Sequence, residues 1–150
     1  MSKPFPLQTL LDLTRRENDT AAARLGTLNG HDREMEDRLR LLLDYRDDYA
    51  SRLLNMTTNG VNSVGWKNCR EFIAKIDSAI VQQRQTVAEA KCQVQSGRHQ
   101  WYMLQRKLKS FDTLSDRHRA VELKRESKLE QKEQDEWAIK GAVRTRASSG

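Results

Sequence analysis

The sequence has 150 residues, 37% hydrophobic and 32% charged, with only three Trp, three Tyr and three Phe. That balance suits one domain between a globule and a solvated rod, with no core large enough for the enclosed pocket most enzymes need. The formal charge of +6 admits nucleic acid, an anionic surface or an acidic protein as partner, but 27 basic residues are interleaved with 21 acidic ones, which first describes a solvated charged face.

In chain order, Met-Ser-Lys-Pro-Phe-Pro leads into a polar segment with no apolar run long enough for secretion or a membrane span, so a cytosolic protein is expected. Pro4 and Pro6 suit a helix entry and not its interior, which places the first helix at about residues 7–56. Along it one seam position repeats every seven residues as Leu7, Thr14, Ala21, Leu28, Met35, Leu42, Tyr49 and Met56. Its partner series is Leu11, Asn18, Leu25, Asp32, Leu39, Arg46 and Leu53. Steps of three and four hold such a stripe on one helical face.

Residues 57–65 carry Asn59-Gly60 turn chemistry and no strong heptad position. The second helix is expected over about 66–140, with seams Trp66, Ile73, Ile80, Val87, Val94, Trp101, Leu108 and Cys69, Ile76, Gln83, Ala90, Gly97, Leu104, Phe111. A disordered tail is expected over 141–150. The fold class is therefore all-α: a long antiparallel two-helix coiled coil, an α-hairpin whose second helix overhangs the first, forming a single domain over 1–150.

Folding the halves at the turn sets Leu53 against Trp66, Tyr49 against Cys69, Arg46 against Ile73, Leu42 against Ile76 and Ala21 against Gly97. Large residues oppose small or polar ones, as a filled seam requires. Asn18, Asp32, Arg46 and Gln83 weaken the seam but restrict its register. Gly26 and Gly30 mark the expected bend, where a full break would give three helices.

If Leu7 meets Phe111, residues beyond about 114 lack a partner, and Ser115, His118, Glu122, Arg125 and Lys132 take over the seam. The overhang, on the order of 35 Å long, then leaves Leu114, Val121, Leu123, Leu129, Trp137 and Ile139 open to water. It either inserts into a partner or remains a solvated, fraying helix.

No His, Cys, Asp and Glu constellation has metal-site spacing, and no cofactor motif is complete. His31, His99 and His118 read as isolated surface residues. Cys69 and Cys92 sit roughly 35 Å apart on one helix and cannot pair within a molecule. The first reads as a small seam residue and the second as an exposed thiol. Carboxylates on open helices lack the desolvation that acid-base catalysis uses, so no catalytic residue is assigned. Arg117, Arg119, Lys124, Arg125, Lys128 and Lys132 are interrupted by Glu122, Glu126, Glu130 and Glu133, unlike a nucleic-acid-binding basic block.

Tyr45 and Phe72 stand beside seam positions where the heptad does not require aromatics. With Leu42 and Tyr49 they either widen the seam's cover or form an interface patch near the turn. The run Leu42-Leu43-Asp44-Tyr45-Arg46-Asp47-Asp48-Tyr49, the turn Asn59-Gly60-Val61-Asn62-Ser63, Trp66, and Phe72-Ile73 through Ala79-Ile80 resemble the bacterial flagellar export family FliJ. The similarity extends from about Leu7 to Trp137 and includes Thr9, Leu10, Asp12 and Leu13.

The resemblance implies a non-enzymatic, stalk-like coiled coil of the flagellar type III export apparatus. Such a protein docks in the hexameric export ATPase, promotes its ring assembly, couples it to the membrane export gate, and binds and recycles export chaperones. It implies a cytoplasmic protein peripherally associated with the inner membrane through that apparatus, with no direct membrane insertion and no nucleic-acid partner. Leu42, Tyr45, Tyr49, Phe72 and Ala79 match the family's gate-facing patch, with Ile76 a conservative variant; Arg38 and Gln83 depart from it. Leu10, Leu13, Leu123 and Leu129, outside the paired seam, are the expected ATPase-docking residues. A general cytosolic chaperone or scaffold of type III secretion, without ATPase stimulation, is the alternative.

Overall fold

A computed structural model describes residues 3–60 and 63–149, and in it the chain folds into two long helices packed against each other, α1 (Gln8–Thr58) and α2 (Ser63–Ser148). No strand occurs among the described residues. Both helices are single and uninterrupted: α1 passes through Gly26 and Gly30 without a break, which removes the three-helix alternative. The chain divides into two compact units, Asp19–Met103 and Met1–Asn18 with Leu104–Gly150.

In the unit Asp19–Met103 the helices run antiparallel across the turn. Asn59 N–H still donates to Asn55 O, and Gly60 then takes φ +70°, a left-handed conformation that glycine adopts at no steric cost. The expected turn also included Val61 and Asn62, which lie outside the described residues. The turn is shorter than expected on both sides. Thr57 and Thr58 stay helical, their hydroxyls donating to the carbonyls of Leu53 and Leu54. Ser63, Val64 and Gly65 take no positive φ and join α2.

The seam of this unit buries mostly modest side chains. Met35, Val87 and Ala90 form a buried cluster with Leu39 packed on it, and Cys69, Ile76, Ile80 and Val94 are buried elsewhere. Between them, polar seam residues reach across to the facing helix. Gln83 Nε2 donates to Met35 O at 2.9 Å, and Arg46 Nε donates to Asp77 Oδ1 at 2.5 Å. Lys91 Nζ lies 3.7 Å from Asp32 Oδ1 and donates to Glu36. The Lys91 bond holds the Glu36 carboxyl below its usual range, and the same bond raises the Lys91 ammonium. These partners are specific to one alignment, so they restrict register in a way that small apolar residues cannot.

One expected pairing is displaced. A Cβ built on Gly97 would stand 2.8 Å from Leu28 Cδ1 and 3.7 Å from Leu25 Cδ1, so this glycine faces those leucines and not Ala21. A side chain at this position would require the Leu28 methyl to turn aside.

In the other unit, Leu11, Thr14 and Asn18 are the buried face of α1. Gln105 Nε2 donates to Asn18 Oδ1 at 3.1 Å, and Arg15 meets Asp112 at 3.5 Å. Ahead of α1, Lys3 to Leu7 forms a non-helical arm, tied to the helix start by Gln8 N–H donating to Phe5 O. The arm lies on α2. His118 Nε2 donates to Lys3 O at 2.9 Å, the Phe5 and His118 rings stand 5.7 Å apart, and Lys3 N–H donates to Glu122 Oε2 at 3.3 Å. Glu122 is thereby 6% exposed, with Arg125 at 3.7 Å. Cover therefore extends past residue 114 to about Glu126, and His118 is a half-buried clasp residue instead of an isolated surface one.

Every residue from Ser127 to Ser149 is exposed. The helix nonetheless continues to Ser148, where a tail was expected from residue 141. Gly141 costs at most about 1 kcal/mol relative to Ala, too little to end a helix flanked by Ala138, Ala142, Arg144 and Arg146. Thr145 Oγ1 also donates to the Gly141 carbonyl at 2.8 Å.

Candidate functional site

Among the described residues no helix is long and apolar enough to cross a membrane, and no group of three or more metal-ligating side chains converges. The features left for function are two exposed surfaces, one in each unit.

Beside the turn, Tyr45 is 49% and Phe72 44% exposed, large fractions for aromatic rings on a helix. Tyr49 bridges patch and seam. Its ring lies 4.5 Å from that of Phe72 at 44°, and its backbone carbonyl accepts the Cys69 thiol at 3.7 Å. The expected facing of Tyr49 and Cys69 is thus present. Leu42 and Ala79 are half-buried flanks, whereas Ile76, at 7% exposed, belongs to the seam and can contribute only by holding the rings in place. A tilted ring pair presents both a face and an edge to a partner and adds roughly 0.5–1.5 kcal/mol beyond its buried area.

Two arginines that sequence reasoning passed over stand against aromatic rings near the turn. The Arg52 guanidinium stands 5.0 Å above the Tyr49 ring, and that of Arg70 stands 5.2 Å above Trp66. Their spacing was legible: Arg52 follows Tyr49 by three residues and Arg70 follows Trp66 by four, the separations that place neighbours on one helical face. Trp66 Nε1 donates to Thr57 Oγ1 at 3.1 Å, which fixes the indole across the two helix ends. Gln83 is engaged with Met35 O, and Arg38 pairs with Glu34 one turn away at 2.9 Å.

In the other unit Leu10, Leu13, Leu123 and Leu129 are all exposed, outside the buried face of Leu11 and Thr14. Leu123 also borders a shallow cavity between the arm residues Lys3 and Phe5 and the α2 residues His118, Arg119 and Glu126. Beyond it Trp137 is 81% exposed, and Ile139 and Val143 are open as well. Sequence reasoning missed the contacts that anchor the arm, Phe5 with His118 and Lys3 with Glu122, because the arm has no period and its partners are more than a hundred residues away.

The chain matches the family model described as Flagellar FliJ protein over residues 2–147. It is 33% identical over 144 residues to the Flagellar FliJ protein of Salmonella typhi, covering 96% of this chain and 98% of that protein. It is 31% identical over 144 residues to the Flagellar FliJ protein of Escherichia coli (strain K12), with the same coverage of 96% and 98%.

Proposed function

The chain belongs to the flagellar FliJ family, and on that premise we propose that it is a non-enzymatic, stalk-like component of flagellar protein export. In this role α2 beyond Glu126 enters the hexameric export ATPase together with Leu10, Leu13, Leu123 and Leu129, and promotes ring assembly. The Tyr45, Tyr49 and Phe72 surface engages the membrane export gate and couples it to the ATPase. Export chaperones are further partners, and the protein works in the cytoplasm at the inner membrane through these contacts.

The observation that carries the proposal is the uncovered run of α2. From Ser127 to Ser148 every residue is exposed, Leu129, Trp137, Ile139 and Val143 among them. A helix gains most of its stability from packing one face against something else, and contiguous exposed apolar side chains mark interaction surfaces. Insertion into a recess supplies both needs.

The test is the ATP hydrolysis rate of the cognate export ATPase with and without this protein, with ring formation followed by light scattering. Stimulation together with assembly supports the stalk role. Saturated binding with no change in either leaves a scaffold or chaperone, and the aromatic patch becomes its principal surface.

A further inference from the structure

Between Val121 and Glu133 the charge on α2 is uneven around the helix circumference. Lys124, Lys128 and Lys132 recur every four residues with Arg125 beside them, and they line one shallow groove with Val121 and Leu129. Glu126, Glu130 and Glu133 are displaced around the helix, and the last two share a different groove with Trp137.

Between Glu122 and Lys132 all four charged pairs at i,i+4 spacing are like-charged: Glu122 with Glu126, Lys124 with Lys128, Glu126 with Glu130, and Lys128 with Lys132. Such pairs destabilise an isolated helix, whereas Glu and Lys at the same spacing would support it. In this stretch the one ion pair among the described residues is Arg125 with Glu122. Lys124 and Lys128 thus have no carboxylate three or four residues away although three glutamates share the stretch, and Lys132 meets Asp135 and Glu136 only where the stripe ends. A merely solvated helix gains nothing from this sorting; a partner that is acidic along one wall makes it favourable.

We propose that the overhang docks through the basic, apolar-centred stripe Val121, Lys124, Arg125, Lys128, Leu129 and Lys132 onto an acidic protein surface with recesses for the two aliphatic side chains. This rests on the docking role above and deepens it: the helix enters its partner in one rotational setting, with the glutamates turned away. A protein partner is favoured over nucleic acid because the glutamate stripe a helix width away repels a polyanion. It is favoured over a second copy because a net charge of +6 opposes stacking.

The experiment compares the full-length chain with two variants, Lys124→Glu/Lys128→Glu/Lys132→Glu and Glu126→Lys/Glu130→Lys/Glu133→Lys. Binding to the purified export ATPase is measured at low and at physiological salt, and circular dichroism verifies helicity. Reversal of the lysine stripe is expected to weaken binding by roughly tenfold or more, mainly through slower association that salt masks in the wild type. Reversal of the glutamates is expected to leave affinity within about threefold of wild type.

Equal losses in the two variants, or none in either while the wild type binds, overturn the stripe and leave docking intact. A wild-type chain that does not bind the ATPase removes docking and the stripe together. Binding of the wild type to phosphatidylglycerol vesicles or duplex DNA at physiological salt, abolished by the lysine reversal, also overturns the proposal by assigning the stripe to another polyanion.

Discussion

Three glycines inside helices differ in one measurable respect, the space around them. At Gly26 and Gly30 a Cβ would meet nothing within 4 Å, so an alanine is free of contact and gains helix propensity. Each replacement is expected to stabilise by about 1 kcal/mol, and the double variant by about 2 kcal/mol if they add. At Gly97 the same gain is opposed, because the new Cβ would lie 2.8 Å from Leu28 Cδ1. The leucine methyl is the end of a flexible side chain and can turn, but an off-rotamer leucine costs about 0.5–1.5 kcal/mol, which cancels the propensity gain. Gly97→Val adds two further methyl groups to the same gap and is expected to destabilise by about 1–3 kcal/mol. Urea unfolding followed by helical circular dichroism resolves these values, since 1 kcal/mol over a slope of about 2 kcal/mol/M moves the midpoint by about 0.5 M. Gly97→Ala stabilising as much as Gly26→Ala would refute the close approach of Leu28. A loss of stability in Gly26→Ala would refute the open, regular helix at that point.

Titration is expected to act on the Lys91 clamp from both sides. The contribution of Glu36, whose pKa is lowered first by the Lys91 hydrogen bond, is complete above the unfolded carboxylate value and lost as pH falls through the depressed folded one. That of Lys91, raised first by Glu36, is complete below the unfolded ammonium value and lost as pH rises through the raised one. Stability should therefore be level through neutral pH and decline at both extremes, and Lys91→Met should flatten both arms in thermal melts taken across pH. Tyr45→Ala with Phe72→Ala is expected to impair gate binding in a pull-down and reduce motility while leaving helicity unchanged, since both rings are largely outside the seam. Normal motility would remove the patch from function. A thiol reagent should modify exposed Cys92 rapidly and buried Cys69 only on unfolding, with Cys69 protected by its place under Tyr49; equal rates would contradict the packing there.

The helices were legible because their apolar positions keep a seven-residue spacing, and the polar interruptions were legible as register devices. Asn18, Asp32, Arg46 and Gln83 each find a partner on the facing helix. Register itself was harder to fix. A residue as small as Gly97 does not select its own partner, and only the structure sets it under Leu28. The arm was illegible because Lys3-Pro4-Phe5-Pro6 has no period, and its position depends on His118 and Glu122, more than a hundred residues away. At the far end Gly141 suggested a stop, although one glycine without a left-handed φ does not terminate a helix.

Within the candidate surfaces, the exposure of Tyr45 and Phe72 followed from their places beside the seam. Ile76 was the weaker assignment, since it also stands in a seam series, and burial there prevailed. Arg52 and Arg70 were missed because cation placement over a ring depends on rotamers as well as spacing.

The measurement that bears most directly on a stalk role is the stimulation of the export ATPase by the full chain compared with a version ending at Glu126. That truncation removes the uncovered helix but retains His118 and Glu122, and with them the arm that caps the folded unit. A stalk that docks through the uncovered helix predicts stimulation by the full chain and none by the shortened one at equal helicity per residue. Equal stimulation by both would contradict it and assign docking to the paired part of the coiled coil.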